Sequence, residues 1–174
     1  LKVKILFVML ILCFFVISGC CSNKNEGTEK AQPAVKDQTN DLPGFVKDAD
    51  FKQIDWSKMV TKIGSNGPSD ILGNPNKVGY IGPELQAEKI DKWLWNFFGI
   101  AHGYLTIVAY HQETSTKAPI LSSGYTTEFA AGTMNGADAT MPSNVSLPKS
   151  GKWALLVYID QKLFDTTIIN VTDK

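Results

Sequence analysis

The chain has 174 residues, in which 17 lysines and arginines balance 17 aspartates and glutamates, and 44% of positions are hydrophobic. A formal net charge of +0 excludes a protein that works by neutralising nucleic-acid phosphates. The three cysteines, Cys13, Cys20 and Cys21, all lie near the start, so the remainder has neither a disulfide framework nor a thiol nucleophile.

The opening stretch Leu1–Cys21 has a basic start at Lys2 and Lys4, then an apolar run over Ile5–Ile17. That run is shorter than the ~20 residues a spanning helix needs. With Ser18 and Gly19 giving a peptidase access to the backbone, residues 1–19 read as a cleaved secretory signal. Ile17-Ser18-Gly19-Cys20 resembles the box of bacterial lipoproteins, in which a branched apolar residue, a small residue and Gly or Ala precede a lipidated Cys. The resemblance implies lipid on Cys20 and a domain held at the extracytoplasmic face of the cell membrane. Loss of Lys2 and Lys4 would leave 15 basic against 17 acidic residues, a formal net charge of about −2.

Residues 20–42 read as a lipidated polar tether. Ser22–Leu42 has no aromatic residue and almost no apolar one, so burial cannot offset its ordering entropy. One domain over residues 43–174 is then expected. Trp56, Met59, Val60 and Ile63 recur at helical spacing and predict a short helix over Asp55–Ile63, with an edge strand as the other reading. Gly64–Gly82 carries five glycines and two prolines and predicts turns; it lacks the spacing and terminal Lys-Ser or Lys-Thr of a phosphate loop. Pro83–Lys92 has helix-like composition, a short strand being equally open.

Lys92–Gly99 and Tyr104–His111 are β-rich runs with large side chains on both faces, as in central strands of a two-sheet core. Gln112–Pro119 reads as turn-like, Ile120–Ala130 as a strand, and Ala131–Pro148 as a long loop that holds at most a short edge strand. Lys152–Asp160 and Leu163–Val171 flank Asp160-Gln161-Lys162 and predict a closing hairpin, with Phe164, Thr166 and Ile168 opposing Leu163, Asp165, Thr167, Ile169 and Val171. Short strands, few helical patterns and no repeat indicate an all-β sandwich with a short helix or cap near its N-terminus.

Pro148-Lys149-Ser150-Gly151-Lys152-Trp153, followed by alternating apolar residues and a turn, resembles the final hairpin of immunoglobulin-like domains in extracytoplasmic bacterial proteins. Trp93, Trp95 and Gly99 match an aromatic strand found in uncharacterised Bacillus-type lipoproteins of Gram-positive bacteria. Together the resemblance spans about Val78–Val171 and implies an immunoglobulin-like sandwich, but no activity.

For function, the leading expectation is binding of an envelope protein, a cell-wall polymer or a small molecule, with no catalysis, no cofactor and no nucleic-acid partner. Trp93, Trp95 and Phe98 are the candidate contact surface, since aromatic platforms bind sugar rings and protein partners. A rival expectation is a copper or other metal module using His102, His111, Met134 and Met141, whose imidazole and thioether groups suit a soft metal. A third, a small glycan-acting enzyme, would need two facing carboxylates from Glu84, Glu88, Asp91 and Glu113.

Overall fold

The computed structural model describes residues 41–130 and 132–174. The signal, Cys20 and nearly all of the expected tether lie outside the described residues. Among the described residues ten strands form two antiparallel sheets: β1 (Thr61–Asn66), β2 (Ser69–Gly73), β3 (Val78–Ile81), β4 (Asp91–Phe97), β5 (Gly103–His111), β6 (Lys117–Pro119), β7 (Thr126–Phe129), β8 (Ala139–Val145), β9 (Gly151–Ile159) and β10 (Lys162–Val171). One sheet has the order β1-β2-β3-β4-β8; the other has β10-β9-β5-β6, with β7 also on β5. This is the all-β sandwich expected from the sequence.

Between the sheets lies a core dominated by Trp93, Trp95 and Phe97 of β4 and by Trp153, Leu155 and Val157 of β9. Withdrawing each large apolar side chain from water contributes roughly 1.5–3 kcal/mol. Tyr80 stacks on Trp93 with centroids 3.8 Å apart, and the Trp93 indole N–H donates to the Pro83 carbonyl at 3.0 Å. Any Cβ at Gly82 would overlap the Trp93 indole, which is why the chain needs glycine there.

A second apolar cluster lies on the other side of β9. Val108, Ala154, Leu156, Tyr158 and Ile168 are buried there beneath Leu42, Phe45, Val46, Ile54 and Trp56. Residues 42–60 thus form a strap that makes a third layer. Within it α1 (Asp48–Lys52) places Phe51 against Tyr110, centroids 4.8 Å apart. The Asp50 carboxylate accepts from the Lys47 N–H at 3.2 Å and from the Tyr158 hydroxyl at 3.0 Å, tying the helix start to the sheet. Phe45 meets the Tyr158 ring edge-on at 5.5 Å.

Several local expectations change. Residues 55–63 are not a helix: the Asp55 carboxylate takes the Ser57 N–H and hydroxyl, Met59 bridges to Ile168, and Val60 donates to the Ile168 carbonyl, so the chain is drawn out along β10 before β1 begins. Residues 82–90 are irregular, with a positive φ at Glu88 and a bridge from Gln86 to Thr172. Strands β2, β3 and β6 occupy stretches that read as turns, cross-strand pairing overriding their Gly, Pro and Asn content. Strands β1 and β8 are edge strands, the first beginning at Thr61 inside the stretch left open between helix and edge strand and the second being the edge strand left open within Ala131–Pro148.

In the final hairpin Asp160 and Gln161 both have positive φ, 47 and 68, the mark of a primed two-residue turn. A bulge between Leu163 and Asp165 then breaks the expected alternation. Phe164 consequently packs against the inter-sheet core, on the same side as Ile169 and Val171.

Candidate functional site

Trp93 and Trp95 are each 1% exposed. They belong to the core face of β4, so the expected contact surface of Trp93, Trp95 and Phe98 does not exist as such; only Phe98 keeps a half-buried position. The alternation that puts both indoles on one face is the alternation that points them inward.

The four expected metal ligands do not converge. His102 is exposed just before β5 and His111 is buried at the strand's far end, roughly 30 Å away at strand rise. The His111 Nε2–H donates to the Ser150 carbonyl at 2.9 Å, which fixes the tautomer and leaves Nδ1 accepting from Thr114 at 2.9 Å. Both ring nitrogens are therefore occupied. Met134 is 52% exposed in the loop before β8, whereas Met141 on β8 pairs with Trp95 and packs on the core. Among the described residues no group of three or more His, Cys, Asp or Glu side chains is arranged to hold a metal ion.

His111 instead explains the Pro148–Trp153 motif. Its ring packs on Trp153 with centroids 4.8 Å apart, and the Trp153 indole N–H donates to the Lys149 carbonyl at 3.0 Å. Gly151 has φ 109, and a Cβ there would come within 2.7 Å of His111 Nε2. Lys149 donates to the hydroxyls of Thr114 and Thr116, extending this polar network to the surface.

A concave surface lined largely by polar residues occurs elsewhere, where the strap meets the β10 bulge. A shallow groove of about 330 Å³ has Gln53, Asp55 and Lys58 on its strap wall and residues 163–166 on its β10 wall. The bulge shapes that second wall: it turns Phe164 inward and leaves Leu163 43% exposed at the rim. Asp165 is half-buried. Its Oδ1 accepts from Asn74 Nδ2 at 2.8 Å and from the Thr166 N–H at 2.9 Å, while Oδ2 accepts from the Val78 N–H at 3.3 Å. It thereby ties β10 to the β2–β3 turn of the opposite sheet.

Burial lifts the Asp165 carboxyl above the ordinary carboxylate value, the hydrogen bonds and Lys77 pulling the other way. A desolvated carboxylate in a cleft is the kind of group that marks a functional site. Asp55 contrasts with it: the Ser57 hydroxyl and N–H hold it below the usual range, fully in water. Lys77 lies over the Phe164 ring, 4.4 Å from its centroid. The sequence reading missed this place, although a carboxylate at Asp165, on the same alternation as Ile169 and Val171, was a visible signal.

Residues 45–169 match the family model described as a domain of unknown function (DUF4871), and the chain belongs to that family. A search of curated proteins found no match. Among solved structures, the chain is similar to the X-ray structure of a "Putative Lipoprotein from Bacillus anthracis", with a TM-score of 0.61 and 23% identity over 75% of this chain and 96% of that one. That likeness concerns the fold, and the family match includes the strap from Phe45 onward.

Proposed function

We propose that this is a lipid-anchored, extracytoplasmic binding module that takes an envelope ligand in the groove between strap and bulge. The observation that carries it is the groove itself, where half-buried Asp165 on one wall stands across from Gln53, Asp55 and Lys58 on the other. Binding fits better than catalysis because the hydrogen bonds on both Asp165 oxygens leave it poorly placed to move a proton. The anchor reading rests on the Ile17–Cys20 box and is supported by the lipoprotein name of the similar structure. Among the described residues no helix is long and apolar enough to cross a membrane. The order β3-β4-β8 facing β10-β9-β5 parallels A-B-E facing G-F-C in an immunoglobulin-type sandwich, which supports that finer assignment.

The test is a photo-crosslinking residue in place of Gln53, carried in cells with an intact envelope. An adduct at Gln53, with none from the same group at exposed Asn170 and membrane release by Cys20→Ala, is the expected result. No adduct, or equal adducts at both positions, would contradict the groove as the ligand site.

A further inference from the structure

We infer that the ligand of this groove is a neutral saccharide, an inference that rests on reading the groove as the binding site. The argument is one of charge and hydrogen-bond capacity. Of the charged lining residues, Asp165 is tied to Asn74 and to the Val78 N–H, which leaves the Asp55 carboxylate and Lys58 to meet a ligand. One available acid and one lysine give the place no net sign, so it offers neither a polyanion nor a polycation a complementary field. What it offers is alternation at short range.

Asp55 spends Oδ1 on Ser57, which leaves Oδ2 as an acceptor. Lys58 has only donors, the Gln53 amide has both kinds, and the Thr166 hydroxyl has both. A ligand that satisfies such a set must itself donate and accept at neighbouring positions, as vicinal hydroxyls do. Leu163, 43% exposed at the rim, supplies an apolar surface for the C–H face of a sugar ring. Because the groove is shallow and open, it suits a stretch of a chain lying across it better than a small molecule enclosed by it.

The test uses the full lipidated chain in detergent micelles, titrated with four probes: a neutral N-acetylhexosamine tetramer, a neutral hexose hexamer, poly(glycerol phosphate) and tetralysine. Saturable binding of at least one neutral probe is expected, with affinity changed less than twofold by raising salt tenfold. That binding should weaken at least tenfold in Asp55→Ala and in Leu163→Glu, both at solvent-exposed positions, with Lys58→Ala as a third variant in case either fails to fold. Binding of a neutral probe that ignores all three substitutions would overturn the inference. So would salt-sensitive binding of poly(glycerol phosphate) or tetralysine with the neutral probes inert. If no probe binds while the Gln53 crosslink still forms, the saccharide assignment falls and the groove stands; if the crosslink is absent as well, both fall.

Discussion

The two sheets share one core but differ on their outer faces. On β9, Ala154, Leu156 and Tyr158 point away from the core and are still buried, because the strap lies over them. On β4 the corresponding outward positions hold exposed Lys92, half-buried Leu94 and fully buried Asn96, the last covered by Asn135, which donates to it at 3.0 Å. At β9 one sheet is therefore sealed by apolar packing, and at β4 the other is closed only by a polar loop. The difference teaches what the unbroken run Trp153–Ile159 encodes: a strand with no polar alternation needs a cover on each side, and here the second cover is the N-terminal strap. The same strap makes one wall of the groove.

A charge placed on each outer face separates the two regions most sharply. Leu156→Asp should cost on the order of 4–5 kcal/mol or leave the chain unfolded, since it buries a carboxylate beneath the strap. Leu94→Asp, half-buried on the other sheet, should cost about 1 kcal/mol. Urea unfolding followed by tryptophan fluorescence measures both, and equal costs would erase the distinction.

Much of this contrast was legible in the residues. The large side chains on both faces of Tyr104–His111 and the alternation of Trp153, Leu155, Val157 and Ile159 announced central strands, and the closing hairpin falls at Asp160-Gln161 as the pattern requires. What could not be read was which segment supplies the second cover. Phe45, Phe51 and Trp56 follow neither a helical nor a strand period because each is placed by the sheet beneath it: Phe45 by Tyr158, Phe51 and Trp56 by Tyr110. The groove was hidden for a related reason, since a bulge shifts register without changing composition. Trp93 and Trp95 misled in the opposite way, because aromatic content alone does not distinguish a platform from a core.

A smaller effect is expected at the end of the strapped sheet. Gly151→Ala puts a side chain at φ 109 and against the His111 ring, and should cost about 1–3 kcal/mol in the same unfolding assay. A neutral result would remove His111 from the account of the Ser-Gly-x-Trp turn.

Smaller again are the proton-linked effects, which differ between the sites. Because burial raises Asp165 above 3.8, the folded chain holds that proton more tightly than the unfolded one. Its contribution to stability therefore falls as pH rises from 3.8 through the raised value, and Asp165→Asn should remove that part of the slope. On the alkaline side, burial pushes the Tyr80 hydroxyl up to about 12, so stability should decline as pH climbs from 10 towards 12, and Tyr80→Phe should flatten the decline. Denaturation midpoints measured across pH check both signs.

The most direct test of the strap as a layer of the domain is urea unfolding of Phe51→Ala beside the unmodified full chain. Phe51 is buried against Tyr110, with Lys117 over its ring at 4.3 Å, and lies in a segment joined to the sheet through Asp50 and Tyr158. A single cooperative transition weakened by about 3–5 kcal/mol is the expected result. An unchanged midpoint, or a strap that melts in a separate earlier step, would contradict it.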